Sequence, residues 1–174
     1  MKAARWSIFA SLVALVIVVA SCTESTAPVT FQPPSQSLIG ELGRRTGLLS
    51  CRPLPAATAS TEIGRSGGVI QVGPHTLVVP PGALERDTRI TAVIPANSNI
   101  NVVQFAPEGL EFERSAALTM SYSNCNLLGL LLPKRIAYID GLGGILEYLL
   151  SLDDLLSKKV TGRLRHFSGY AVAW

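Results

Sequence analysis

The stretch Gly67–Leu84, "GGVIQVGPHTLVVPPGAL", contains two short β-rich runs separated by turn residues. The first run ends at Val72 and the second begins at His75, with only Gly73 and Pro74 between them. Such spacing is typical of a β-hairpin. The second run stops at Pro-Pro-Gly, where proline removes backbone donors and glycine tolerates a positive φ. This stretch therefore predicts two strands joined by a tight turn.

The same pattern continues towards the C-terminus. Apolar and polar residues alternate in "TRITAVI" (88–94) and in "AALTMSY" (116–122). The runs "KRIAYID" and "GGILEYLL" flank the turn pair Asp140-Gly141, which predicts a second hairpin. Short strands at regular spacing with turn signals between them predict an all-β fold, an antiparallel β-sandwich or barrel.

Two stretches near the C-terminus have less regular patterns. Residues 146–158, "LEYLLSLDDLLSK", place leucines at helix-like spacing, but a hairpin signal precedes them, so we expect a strand followed by a loop or one helical turn. The end, "KVTGRLRHFSGYAVAW" (159–174), supplies one or two strands. Alternation in the last of these places Phe167, Ala171 and Ala173 on one face, and Tyr170, Val172 and Trp174 on the other.

The N-terminus has the features of an export signal. Lys2 and Arg5 precede an apolar run over residues 8–20, which is shorter than the roughly 20 residues that a membrane-spanning helix needs. The run ends in "VASC" (19–22), which resembles a bacterial lipobox. That resemblance implies removal of a signal peptide, residues 1–21, and transfer of a diacylglycerol to the Cys22 thiol. The alternative is an ordinary secretory signal that leaves Cys22 as a free thiol.

Residues 22–60 are predicted to connect this anchor to the folded domain. Residues 23–37 are rich in Ser, Thr, Pro and Gln and carry little charge, so they cannot bury enough apolar surface to order themselves. We expect a flexible tether there, followed by a weakly packed lead-in that extends to residue 60. A short helix between Ser37 and Arg45 is an open alternative within it. The β-sandwich is expected over residues 61–174. Thr23, where lipoproteins kept in the inner membrane often carry Asp, favours the outer membrane.

Composition excludes several classes of partner. Removing Lys2 and Arg5 from the 15 basic residues leaves 13 against 12 acidic ones, so the exported chain is nearly neutral. Nucleic-acid binding requires clustered Lys and Arg, and we expect no nucleic-acid partner. The glycine-rich run at 67–73 lacks the Lys-Ser/Thr and the helix of a phosphate-binding loop, and no cofactor is predicted.

Two cysteines remain once Cys22 is lipidated. Cys51 and Cys125 would lie in an oxidising compartment, where an even pair predicts a disulfide. The two cysteines are 74 residues apart. Closing a loop of this length stabilises a fold by about 4 kcal/mol on the chain-entropy estimate. A zinc site with His75 and His166 is the alternative, but no C-x-x-C or H-x-x-x-H spacing supports it. We therefore predict no metal site.

Four motifs in order resemble the ZU-five family. They are "GGVIQVGPHTLVVPPGAL", "TRITAVIP", "FAPEGLEFERSAALTMSY" and "VTGRLRHFSGYAVAW", and they cover residues 67–174. The whole chain is similar to bacterial surface lipoproteins that carry one such domain. The resemblance implies a β-sandwich. It implies no single function, since members of the family bind spectrin, pack within receptors, or cleave themselves between Phe and Ser of "H-F-S".

The last of these activities defines a hypothesis for His166-Phe167-Ser168. The Ser168 hydroxyl would attack the carbonyl carbon of Phe167 while His166 accepts its proton. The acyl group would shift from nitrogen to oxygen as the amide C–N bond breaks, and water would hydrolyse the resulting ester. We expect His166 and Ser168 on one face of a strand and a distorted backbone permitted by Gly169. The alternative is that the three residues simply lead into the closing strand.

Other catalytic sets have weaker support. A triad of Ser168, His75 and Asp140 lacks the G-x-S-x-G nucleophile elbow. Acid–base chemistry or calcium binding by "PEGLEFE" (107–113), with acids at 108, 111 and 113, competes with their being solvated acids of a turn. Carbohydrate binding is a third class, but Trp174 is the only tryptophan outside the signal. The sequence thus favours a lipid-anchored, non-catalytic module that does structural or protein-binding work in the cell envelope. Autoproteolysis between Phe167 and Ser168 is the alternative.

Overall fold

The computed structural model describes residues 47–126 and 132–174. Cys22 and the predicted signal peptide, tether and short helix lie outside the described residues. Within the described ranges no helix has the length and apolar character needed to cross a membrane. The described residues form eleven strands: β1 Ala57–Ile63, β2 Gly68–Val72, β3 His75–Val79, β4 Thr88–Ile94, β5 Val102–Ala106, β6 Glu111–Ser121, β7 Arg135–Ile139, β8 Ile145–Tyr148, β9 Ser151–Asp154, β10 Lys159–His166 and β11 Gly169–Ala173.

The strands form two antiparallel sheets packed as a sandwich. The six-stranded sheet has the order β1-β4-β5-β11-β7-β8, and the five-stranded sheet has the order β2-β3-β6-β10-β9. One apolar cluster, built from strands of both sheets, fills the interior. The all-β sandwich prediction is confirmed.

Alternation places the apolar residues of each strand in that interior. Ile90, Ala92 and Ile94 of β4 are buried, as are Leu118 and Met120 of β6. The predicted hairpin in the opening stretch is confirmed as β2–β3, whose register ends at the pair next to the Gly73-Pro74 turn. The pattern of period two therefore predicted both the strands and their buried faces.

The hairpin around Asp140 is also confirmed. It joins β7 to β8, and the Asp140 Oδ1 accepts hydrogen bonds from the backbone N–H groups of Leu142 (2.9 Å) and Gly144 (2.7 Å). An aspartate that bonds the backbone two residues ahead is a common way to stabilise a turn.

The first described residues of the lead-in, 47–51, pack against the sandwich, so the prediction of weak packing was wrong for them. Leu48 and Leu49 are both buried, and the Leu49 N–H donates to the Val172 carbonyl at 2.9 Å. Leu49 enters the interior, while Leu48 belongs to a second apolar cluster with Ala171 and Ala173. Strand alternation places that second cluster on the outer face of the six-stranded sheet, where the lead-in covers it.

The first strand begins before residue 61, the boundary expected for the sandwich. β1 starts at Ala57 and pairs with β4 over its whole length, as the edge strand of its sheet. Its sequence, "ATASTEI", alternates only between small residues, which gives almost no hydrophobic signal. The boundary at 61 therefore falls inside β1.

The leucine-rich stretch after β8 is a further correction. It crosses to the other sheet as a second strand, β9, and the helix-like leucine spacing has no helical counterpart. Leu149 packs against the core, whereas Leu152 and Leu156 are exposed. Spacing alone cannot distinguish one buried helical face from two short strands on different sheets.

Candidate functional site

The link between β10 and β11 consists of Phe167 and Ser168, and it carries the chain from one sheet to the other. Hydrogen bonds fasten its backbone on every side. The Phe167 N–H donates to the Leu110 carbonyl (2.8 Å), and the Gly109 N–H donates to the Phe167 carbonyl (3.0 Å). The Phe105 N–H donates to the Ser168 carbonyl (3.1 Å). The "HFS" motif therefore lies at a sheet-to-sheet crossing.

The expected common strand face for His166 and Ser168 was wrong. His166 is the last residue of β10, and Ser168 lies outside both strands. The His166 ring is half-buried and lies edge-on to the Tyr138 ring, with centroids 5.0 Å apart. Its Nδ1 is 3.5 Å from the Tyr170 hydroxyl, which donates to the His166 carbonyl at 2.6 Å. No hydrogen bond of the described residues joins the imidazole to the Ser168 hydroxyl.

Gly169 does not adopt the distorted backbone that we expected. Its φ lies outside the left-handed region that several other glycines of the chain occupy. A Cβ built on Gly169 would meet Ile139 at 3.4 Å, an ordinary contact. The backbone after Ser168 is therefore compatible with an alanine.

Phe167 lies on the opposite side from the one expected. It packs in the interior, stacked on Phe105 and edge-on to Phe112, each with centroids 4.9 Å apart. Ala171 and Ala173 belong to the outer cluster instead. The two-residue crossing resets the alternation, so a count back along β11 gives the wrong face for Phe167.

A cleft of about 490 Å³ opens beside the crossing. Its polar lining includes Ser168, Tyr138, Gln104, Glu108 and Asp140. Ser168 is only 8% exposed, and Asp140 already accepts two backbone hydrogen bonds of its own turn. Tyr138 and Gln104 had no sequence signal, because they come from different strands that meet only in the folded sheet. The cleft can offer hydroxyl, amide and carboxylate groups to a small polar molecule.

Tyr170 forms the floor under His166. It is fully buried, and burial raises the pKa of its hydroxyl above the usual value, with the nearby Tyr138 and Glu147 adding to the shift. The hydroxyl therefore stays protonated and keeps donating to the His166 carbonyl. This bond holds the end of β10 in place beside β11.

The disulfide between Cys51 and Cys125 is present and spans 74 residues. An amide pair supports it, since the Asn101 Nδ2 donates to the Ser121 carbonyl (2.7 Å) and to the Asn124 Oδ1 (2.8 Å). The Asn124 Nδ2 donates in turn to the Arg52 carbonyl at 2.6 Å. These contacts fasten the lead-in to the loop after β6.

His75 does not take part in the site around Ser168. It lies at the start of β3, at the opposite end of the strands from His166, and is fully buried. Its Nδ1 accepts from the Ser121 N–H at 3.2 Å, while its Nε2 has no hydrogen-bond partner. The structure does not bring together a triad of Ser168, His75 and Asp140. Among the described residues, no group of His, Cys, Asp and Glu is arranged to hold a metal ion.

The acids of "PEGLEFE" face solvent. Glu108 lies in the turn after β5, while Glu111 and Glu113 lie at the start of β6, and all three are exposed. Only Glu108 reaches the cleft, so the three acids do not form one site.

The outer face of the five-stranded sheet carries exposed apolar side chains. We call it the outer β face and define it by Val69, Val78, Leu152 and a threonine row. Val69 and Val78 are cross-strand partners, and Leu152 is 80% exposed. Three threonines lie side by side across β3, β6 and β10, and they are Thr76, Thr119 and Thr161. The exposed Arg163 lies on the same face, since it pairs with Ala117, the partner of Val78. A face that combines valine, leucine and threonine methyl groups with an arginine suits contact with another protein surface.

Comparison with protein-family models finds no match for this chain, and comparison with curated proteins also finds none.

Proposed function

We propose that this chain is a lipid-anchored protein of the bacterial cell envelope that presents a ZU-five-like β-sandwich as a non-catalytic, protein-binding module. The anchor would be a diacylglycerol on Cys22, with the outer membrane favoured over the inner. The two-sheet architecture and the four ordered motifs support the ZU-five assignment.

The observation that carries the binding function is the outer β face. Soluble monomers rarely expose contiguous apolar surface without a functional reason. Val69, Val78 and Leu152 are exposed on one sheet face, although β2 and β3 bury their other apolar residues. The partner would be an envelope protein with a flat apolar patch of its own.

The anchor and the binding face are tested separately. Full-length protein expressed in a bacterium should incorporate an alkyne-labelled palmitate, and Cys22→Ala should abolish the label. A photo-crosslinking amino acid at Leu152 should yield one discrete adduct with an envelope protein. The same group at Arg89, an exposed position on the other sheet, serves as the matched control. Equal labelling of Cys22→Ala would refute the anchor, and equal adducts at both positions would refute the binding face.

Autoproteolysis remains the second candidate because of one observation. The Gly109 N–H donates to the carbonyl oxygen of Phe167, whose peptide bond to Ser168 would be cut. It would stabilise negative charge developing on that oxygen. Cleavage would release no fragment if β11 stayed paired with β5 and β7. The denatured mass of wild type should then fall short by residues 168–174, and that of Ser168→Ala should not. Full-length mass in both would exclude the reaction.

A further inference from the structure

The two ends of the sandwich differ in charge. The basic end is where β3, β5, β7 and β10 begin, and the acidic end is where these strands stop. Exposed cations at the basic end are Arg52, Arg135, Lys158 and Lys159. Loops and strand ends at the acidic end carry more carboxylates than cations, with Glu85, Asp87, Glu108, Glu111, Glu113 and Asp140 against Arg65, Arg86, Arg114 and Arg165.

Two carboxylate side chains of the described residues, Asp153 and Asp154, lie at the basic end and accept internal hydrogen bonds. Asp153 accepts from the Tyr122 hydroxyl (2.7 Å) and from the Lys134 N–H (2.8 Å). Asp154 accepts from the Ser157 hydroxyl (2.6 Å) and from the N–H groups of Ser157 and Leu156. These bonds hold the pKa of Asp154 below its usual value, with the Ser157 hydroxyl bond the largest cause. Among the exposed cations of this end, Lys159 is the cross-strand partner of Asp154, and Arg135 lies over the Tyr148 ring. Lys158 lies in the exposed turn itself.

Exposed leucines lie among those cations. The β9–β10 hairpin carries Leu155 and Leu156 at its tip, and Leu156 is 98% exposed. Asp154 closes this turn, and the tip continues directly into Lys158 and Lys159. Leu132 is exposed two residues before Lys134, whose N–H reaches the Asp153 carboxylate at the base of the same hairpin. The basic end thus presents three leucines beside two lysines.

The chain joins the sandwich at this same end. The Gly47 carbonyl accepts from the N–H of Trp174, the residue after β11, at 3.0 Å. Ala173 of β11 pairs with Arg135, the first residue of β7. Residue 47, the first described residue, therefore lies at the basic end. The partly exposed indole of Trp174 lies there too, and tryptophan is favoured at membrane–water interfaces.

We propose that the basic end is a docking surface for an anionic phospholipid bilayer, with the Leu155–Leu156 tip in the interface and Lys158 and Lys159 on the headgroups. Apolar side chains flanked by lysines bind such surfaces through apolar burial and attraction to anionic lipid together. The tether geometry in this proposal rests on the proposed lipid anchor at Cys22. In the docked protein the outer β face would lie roughly perpendicular to the bilayer surface, where a partner could reach it.

Depth measurement on the full chain tests this docking. Leu156→Cys adds one thiol at an exposed position, since Cys51 and Cys125 are joined to each other. Protein recovered from bacterial membranes is labelled there with an environment-sensitive fluorophore and reconstituted into phosphatidylglycerol–phosphatidylcholine vesicles. Val69→Cys, on the edge strand β2 of the five-stranded sheet, is the matched control. Lipid-borne nitroxides should quench the label at 156 several-fold more than at 69.

Charge variants and flotation separate this proposal from the anchor. The variant Lys158→Glu/Lys159→Glu, or vesicles of phosphatidylcholine alone, should reduce the quenching at 156 towards that at 69. Protein that floats with the vesicles but is quenched equally at positions 156 and 69 would overturn docking and leave the anchor standing. Strong quenching at 156 that survives Cys22→Ala would support docking and show that docking does not need the lipid. A blue shift at 156 without lipid quenching would show contact with a second copy and overturn the proposal, as would a protein that does not float at all.

Discussion

His75 is a buried residue whose surroundings affect how the fold responds to acid. Burial lowers the pKa of its imidazole to about 4, so the folded protein holds it neutral at mildly acidic pH. The unfolded chain binds the proton near the ordinary value of about 6.5. His75 therefore has no destabilising effect above that value, and stability is lost as the pH falls from there towards 4.

Replacing His75 with Asn should remove this loss. The Asn Oδ1 can accept the hydrogen bond from the Ser121 N–H that the imidazole Nδ1 now accepts. Between pH 7 and 4, wild type should lose on the order of 3 kcal/mol more unfolding free energy than His75→Asn, given about 1.4 kcal/mol per pKa unit. Urea titrations at several pH values measure the difference. Parallel pH profiles for the two proteins would contradict the role of His75.

The "HFS" residues show where a residue-level prediction stops. Sequence identified the three residues and a chemistry for them, but their relative positions depend on a crossing between sheets. Phe167 turns inward to meet Phe105 and Phe112, and the alternation of β11 cannot foresee that turn. Tyr138, whose ring lies edge-on to the His166 ring, likewise comes from β7, a strand far from His166 in the chain.

The turn between β1 and β2 is set by a glycine with no room for a side chain. Gly67 has φ +73°, and a Cβ there would collide with the Val79 carbonyl. Gly143, in the β7–β8 turn, has φ +82° but open space around it. Gly67→Ala should therefore cost clearly more stability than Gly143→Ala, for which about 1 kcal/mol of backbone strain is expected. Thermal unfolding of the two variants compares them, and equal losses would contradict the steric argument.

The disulfide joins the lead-in to the loop after β6. Because it closes a loop between residues 74 apart, Cys51→Ser/Cys125→Ser should lower the unfolding free energy by about 4 kcal/mol on the chain-entropy estimate. A reducing agent should destabilise wild type by a similar amount and leave the double variant unchanged. Denaturant titration measures both. Unchanged stability of wild type in reductant would contradict a stabilising bond.

A strand was easier to predict the more clearly its sequence alternates large apolar residues with polar ones. β4 and β6 alternate large apolar with polar residues, and their buried faces followed from that pattern. β1 alternates only small residues and was not foreseen as a strand of the sandwich. The stretch containing β9 carries leucines on an exposed edge, where hydrophobicity no longer reports burial. Those exposed leucines are the ones on which the proposed binding and docking surfaces depend.

At the scale of the whole molecule, the proposed surfaces have different positions and different chemistry. The outer β face carries exposed valine and leucine side chains and lies along one side of the sandwich. The basic end combines leucines with lysines at the point where the chain enters. Composition gave no hint of this arrangement, because the charges nearly cancel over the whole chain and separate only when the strands are folded.

The intact, denatured mass of the protein recovered from the membranes of an expressing bacterium tests the central claim most directly. We predict residues 22–174 with a diacylglycerol on Cys22 and Trp174 still in place. Cys22→Ala should lack the lipid, and Ser168→Ala should match wild type. A wild-type chain that ends at Phe167 would contradict a non-catalytic module and make the domain self-cleaving. A chain without lipid would contradict the anchor.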